Sequence, residues 1–525
     1  MSVYYVSTKS AHGVAAGSAK GDGSKAHPFS SIEQALAVEK NGDVIRLNGV
    51  FHDSFTLRHG VAIEPVAKGS AVIDGTVTIA VQGAEKVTIG AVKIDAKGAT
   101  DAVMLDTEGR AYSVIMAGTR LAGASGYAIA GQDRVKVNLT TSGVNFTAVD
   151  SRGLVGLTSL AKGNIDISGG HVAISHVLTG KEEQGSNQVG AGLIGQVEAI
   201  SSQVTVRVDG VTAKGNINPQ DHSVAGLQVM NVAKASIENN SITLTGFSNK
   251  PLRGISVTYD FLHPINSSGG VIKGNTVIDN DPGEGVLYYI GTNGTVGPKG
   301  FADDETVFGN VGIGNATAAK KNDLHGVLVG YQSGAHVLDN QMTDTALAYA
   351  MKDDFGSSLV KGNANFDAAT TVWYNKGSQG VEWIDNDSAQ SGSYHPVALY
   401  VGPDLDEPDG DDYESSVALV EGNTVDGIIR HGAVITKGSV VTFLGGKVID
   451  GPVTLNAGDF ANEQAPAAAA AVMRFAQAAA MIAPSAAANL PHGLGAAPNG
   501  SLQPFLATTS QTPLSSGKAG RSLVS

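Results

Sequence analysis

An apolar residue, then a small or acidic residue, then asparagine recurs along the chain. The pattern is carried by IENNSIT (237–243), IKGNTVI (272–278), VFGNVGI (307–313), VLDNQMT (337–343), VKGNANF (360–366), WIDNDSA (383–389) and VEGNTVD (420–426). Its asparagines are Asn240, Asn275, Asn310, Asn340, Asn363, Asn386 and Asn423, with a tightest spacing of 23 residues. Each is followed by a short strand, a variable loop and a second alternating strand: GISVTYD, GVLYYIG, GVLVGYQ, ALAYAMK, TTVWYNK, VALYVG and GAVIT. Three short strands in a repeat of about 22 to 25 residues predict one coil of a right-handed parallel β-helix, each strand pairing with its counterpart one coil away, about 4.8 Å distant. Asparagine suits the sharp turn, because it tolerates left-handed backbone and its amide bonds to the asparagine stacked above. A propeller blade needs about 40 to 50 residues, so the 23-residue steps exclude one. Residues 60–235 carry the same strand texture with weaker asparagine markers, which places the solenoid over 61–460.

The two ends differ from this pattern. Near the N-terminus, Ser30 and Glu33 have capping-box spacing ahead of an apolar stripe of Ile32, Ala35 and Leu36, which predicts a short helix within a cap spanning 1–60. A cap covers the apolar end and open strand edges that the first coil would otherwise expose. At the other end, residues 461–525 read as an Ala-rich helix stopped by Pro484, followed by a flexible tail.

Composition narrows the picture. Of 525 residues 68 are glycine and only 6% are aromatic, as expected of many tight turns between short strands. The net charge of −14 disfavours nucleic acid and anionic membrane as partners, and no run is apolar enough to insert into a bilayer. Oligomeric state is not readable. Cysteine is absent, so disulfides and thiolate metal sites are excluded. No conventional signal peptide is visible at MSVYYVSTKS.

The segments YYVS, GDGS, HPFSSIEQAL and GDVIRL resemble the N-terminal cap of pectate-lyase-like β-helix proteins, among them polysaccharide lyases, uronan epimerases, glycosidases and noncatalytic surface proteins. The tail resembles the uncleaved C-terminal ends of bacterial type I secreted proteins. That implies a secreted or surface location without a cleavable signal peptide, with a cytosolic or phage protein as the alternatives. In the family, the strand after the variable loop forms the first sheet, whose outer face makes the polysaccharide groove. In this chain those strand ends carry Tyr259 and Asp260, then Tyr288 and Tyr289, Tyr331, the triplet Lys352, Asp353 and Asp354, then Trp373, Tyr374 and Lys376, and Tyr400.

Aromatic faces stack on sugar rings. We therefore read Tyr289, Tyr331, Trp373, Tyr374, Lys376 and Tyr400 as substrate-binding. Chemistry on uronic acid polymers removes the proton beside a carboxylate, which needs a neutralising group and a base. Lys352 can serve as either, while Asp353 and Asp354 can hold Ca²⁺ or share a proton. Arg253, Tyr259, Asp260 and His263 form a second constellation. Its Tyr, Asp and His resemble the cluster of mannuronan C-5 epimerases, with a different order and spacing. The aspartate motifs of polygalacturonases are missing, although a carboxylate pair at the right spacing would support hydrolysis. In PDLDEPDGDDYESS, Asp404, Asp406, Asp409 and Asp411 read either as a Ca²⁺ loop or as a solvated acidic loop. The sequence thus points to an acidic polysaccharide processed by β-elimination or C-5 epimerisation, with a noncatalytic surface, matrix or adhesion protein as the alternative.

Overall fold

The computed structural model describes residues 1–456, apart from 82, 107–110, 132–133, 179–189, 218–222, 247–251, 261–268, 281–284, 294–304, 316–323, 331, 355–357, 393, 403–415, 444–446 and 451. The Ala-rich segment and tail lie outside the described residues, as does the acidic loop.

Parallel pairing runs through the chain as a β-helix. Val137–Ser142 pairs with Tyr112–Ala117 before it and Gly163–Ser168 after it, while the two intervening strands pair with their own counterparts. Three faces result, each carrying one strand per coil. Stacking begins at the N-terminus: Val3–Ser7 pairs with Val44–Phe51, which pairs with Ala62–Pro65. The cap's first strands are thus continuous with the coils. The cap helix, Ile32–Leu36, starts one residue later than the Ser30 spacing predicts. The N–H groups of Ser30 and Ser31, just ahead of the helix, donate to Gln34 Oε1 at 2.9 and 3.2 Å. At the far end the pairing reverses. Ala433–Ile435 and Val440–Thr442 take antiparallel partners from 448–455, which close the two strand edges.

Inward-facing residues build a single core from Val6 to Phe443. Through it runs the asparagine ladder. The Oδ1 of Asn275, Asn310, Asn340, Asn363, Asn386 and Asn423 each accepts from the backbone N–H and the Nδ2 of the asparagine one coil earlier, at 2.7–3.0 Å. Each Nδ2 also donates to a carbonyl of a neighbouring coil, as Asn363 does to Val337 at 2.8 Å. These buried amides are therefore fully used, which makes the ladder stabilising inside an apolar core.

The left-handed residue of the turn is the one before the asparagine: Asn239, Gly274, Gly309, Asp339, Gly362, Asp385 and Gly422 have φ between +51° and +66°. Glycine, asparagine and aspartate tolerate that conformation best, so the small or acidic position of the repeat supplies the bend and the asparagine supplies the bonds.

Candidate functional site

Beyond each ladder asparagine a short strand leads on to the first sheet, where alternation sends every second side chain inward. One inward row runs Ile255, Tyr288, Val327, Tyr349, Trp373 and Leu399. Tyr288 and Tyr349 reach back into the core, and their hydroxyls lie within 2.5–3.0 Å of carbonyl oxygens beside the ladder, including those of Asn275 and Asn340. Trp373 is 1% exposed and belongs to the core. This corrects its reading, and that of Tyr288, as surface aromatics: neighbours on a strand face opposite ways, and Tyr289 and Tyr374 take the outer positions.

Two outward rows define the candidate site. The first is Ser256, Tyr289, Leu328, Ala350, Tyr374 and Tyr400, and the second is Thr258, Gly291, Gly330, Lys352, Lys376 and Gly402. Tyr374 and Tyr400 stack, with ring centroids 5.0 Å apart and planes at 20°. The Arg253 guanidinium lies over the Tyr289 ring, 5.7 Å from its centroid. Lys352 is half-buried, whereas its cross-strand partner Lys376 is only 7% exposed. Cations and aromatic faces thus share the outward side of the sheet, where Lys352, Tyr374 and Tyr400 are partly exposed and Ser256, Thr258, Ala350 and Lys376 are buried.

The two aspartates after Lys352 do not share it. Asp353 takes the left-handed turn, at φ +51°, and its N–H donates to the Lys376 carbonyl at 2.9 Å. Asp354 is fully buried, its Oδ2 accepting from the Ser358 hydroxyl at 2.5 Å and its N–H donating to Ser378 Oγ at 3.1 Å. Asp354 therefore fastens the corner between sheets. That placement corrects its reading as a catalytic or Ca²⁺-binding group on the surface, since its oxygen is already committed inside the turn. Tyr259 and Asp260 lend backbone to the strand Leu252–Asp260. Their side chains fall outside the described residues, as do Tyr331, His263, Asp404, Asp406, Asp409 and Asp411. Among the described residues no three His, Asp or Glu side chains come together as a metal site.

Sequence reasoning missed a second constellation, at the opposite end of the same strands. Asp344 and Asp367 each stand four residues after a ladder asparagine, on consecutive coils, both left-handed at φ +52° and +55°. Asp367 is clamped by Ser391, whose N–H and hydroxyl both donate to it at 2.6 Å. Burial, and then the neighbouring Asp367 charge, push the Asp344 carboxyl up to about 6. Burial and the same two carboxylates also raise the Tyr394 phenol. The signal available in the sequence was the shared offset from the asparagine.

No family matches this chain, and no curated protein does. Among solved structures it is similar to a GH136 lacto-N-biosidase from Eubacterium ramulus, 13% identical, over 84% of this chain and 68% of that one, with a TM-score of 0.25. It is also similar to a rhamnogalacturonan lyase, 12% identical, over 76% of this chain and 84% of that one, with a TM-score of 0.26. Likeness this distant leaves the activity of the chain to be argued from its own residues.

Proposed function

We propose that the outer face of the first sheet binds an acidic polysaccharide and processes it by β-elimination, or by the related C-5 epimerisation. The observation that carries this reading is the register of Lys352 with Lys376 on consecutive coils, beside the stacked Tyr374 and Tyr400. Stacked strands stand about 4.8 Å apart, close to the rise of one sugar in an extended chain, so neighbouring rings meet neighbouring coils. The tyrosines supply ring faces for apolar sugar surfaces. Lys376 neutralises the carboxylate of one uronate and Lys352 takes the proton at C-5. The C–H electrons form the C4–C5 double bond and the glycosidic oxygen leaves from C-4, whereas return of a proton to the other face of C-5 gives the epimer. Ca²⁺, where it is required, would supply further neutralisation of the carboxylate. Secretion to the cell exterior belongs to the same proposal, since such polymers are extracellular.

The test is incubation of the purified protein, with and without calcium, on alginate, pectate and glycosaminoglycans. Lyase activity appears as ultraviolet absorbance of the unsaturated product, and epimerisation as proton exchange at C-5. Neither signal on any uronan, with binding retained, would point to the noncatalytic surface or matrix reading.

A second reading rests on Asp344 and Asp367. A carboxyl pushed up to about 6 beside a second carboxyl clamped by hydrogen bonds is the arrangement of a glycosidase acid and its companion. Eight residues separate Asp344 from Lys352 along the chain, about 26 Å at the usual strand rise and too far for one bond to engage both. Release of reducing ends without ultraviolet absorbance would favour it.

A further inference from the structure

A pocket of about 430 Å³ lies in the N-terminal cap, between the helix Ile32–Leu36 with the residues after it and the strand Phe55–Leu57 with the turn that follows. Its two walls carry opposite charge. Glu33 and Glu39 stand on the helix side, Arg58 and His59 on the strand side. Glu33, Arg58 and His59 are exposed, as is Ser54 beside them, so the pocket opens to solvent. Among the described residues no ion pair joins these charges across the gap.

Glu39 is the group that needs a ligand. It is 7% exposed, and its Oε2 is enclosed without a hydrogen-bond partner among the described residues. The part that remains exposed lines the pocket, so a counter-charge can reach the carboxylate from that side. Two neighbouring carboxylates already have donors: Asp43 accepts from the N–H of Lys40 at 3.0 Å, and Glu85 from that of Gly60 at 2.6 Å. Burial raises the Glu39 carboxyl above its ordinary range, His59 lowers it, and the Asp43 and Glu85 charges raise it further. A donor that brings positive charge into the pocket offsets that burial. The opposite wall sets the rest of the ligand. A guanidinium takes a carboxylate through two parallel hydrogen bonds, and Arg58 meets no carboxylate of the described residues. An ammonium and a carboxylate on one molecule complete both walls at once, and the volume, near the low end for ligand pockets, keeps that molecule small.

We propose that this pocket binds an α-amino acid, whose ammonium sits on Glu39 and whose carboxylate meets Arg58 beside His59. The site is built from the cap and not from the first sheet, so it stands apart from the polysaccharide reading.

The experiment titrates the full-length protein with each common α-amino acid, and with butylammonium and butyrate as single-charge probes, by calorimetry and thermal unfolding. At least one amino acid is expected to bind once per chain and raise the unfolding temperature, with either single-charge probe about tenfold weaker or more. Glu39→Gln should weaken that binding by about tenfold while raising the unfolding temperature of the free protein, because the amide carries no charge to bury. Arg58→Ala, at an exposed position, should weaken binding similarly with unfolding unchanged. Should Glu39→Gln fail to fold, Arg58→Ala decides, weaker binding supporting the site and parental affinity overturning it. Parental affinity in either folded variant overturns the proposal, as does a parent that binds no amino acid. Butylammonium bound as tightly as the best amino acid overturns the zwitterion and with it the role of Arg58.

Discussion

Lys352 and Lys376 are direct cross-strand partners on the outer face of the first sheet, one half-buried and the other nearly covered. On neighbouring coils the two amines meet neighbouring sugars of one polymer, Lys352 as proton acceptor and Lys376 as the group that neutralises the carboxylate. Lys352→Ala is therefore expected to abolish turnover while lowering affinity only about fivefold, because a base acts in the transition state and a neutraliser acts throughout. Lys376→Ala should weaken binding and turnover together. Turnover by Lys352→Ala at the parental rate would remove it from the chemistry.

Trp373 and Tyr374 are chain neighbours with opposite surroundings, the first in the core and the second stacked on Tyr400. Trp373→Ala should cost about 3–5 kcal/mol of stability through the cavity it leaves. Tyr374→Ala should leave the unfolding temperature within a few degrees and weaken oligosaccharide binding roughly fivefold to tenfold through lost ring contact. Chemical denaturation and titration of each variant check the pair. A binding defect in Trp373→Ala without destabilisation would contradict the inward placement.

The fold was legible because one chemical device, an amide that both donates and accepts along the stack, repeats with its flanks intact from Asn240 to Asn423. Earlier coils make the same bend with Ala91, Gly118, Gly143, Gly169 and Gly210 at positive φ. The position after the bend there holds Val92, Thr119, Val144, Gly170 and Val211, so no amide marks it. The outer face was only half legible. A one-residue register shift between Thr345 and Leu347 breaks simple counting from the ladder, which hid that Trp373 rather than Tyr374 points inward. Asp354 misled for another reason, since a buried carboxylate fastened to Ser358 has the same letters as a surface one.

Asn363 is a central rung. Its Oδ1 accepts from Asn340 twice, and its Nδ2 donates to Val337 and Asn386. Asn363→Ala leaves several buried groups on two neighbouring coils without partners, at about 1–3 kcal/mol for each unsatisfied group. A loss of at least about 3 kcal/mol in denaturant unfolding is expected. Asn363→Asp should fare no better at neutral pH, because a carboxylate cannot donate to Val337 or Asn386. Little change in either variant would mean that the ladder follows the fold rather than supports it.

Asp344 gives the protein a pH dependence whose sign follows from its surroundings. Unfolded, the carboxyl ionises near its ordinary 3.8, and folded it ionises at about 6, because burial and the adjacent Asp367 charge disfavour the anion. Between these values the folded state holds more protons than the unfolded one, so this group's contribution to stability falls as pH rises from 4 to 6 and stays low above that window. After allowance for partial exposure, the cost at pH 8 is about 1–2 kcal/mol. Asp344→Asn removes it and should raise the unfolding temperature at pH 8 with little effect at pH 4, as read by thermal melts at the two pH values. An equal shift at both would mean that packing, not charge, governs the site. If the pair also serves hydrolysis, the same substitution abolishes release of reducing ends while stabilising the fold, the exchange of stability for function expected where like charges are held together for chemistry.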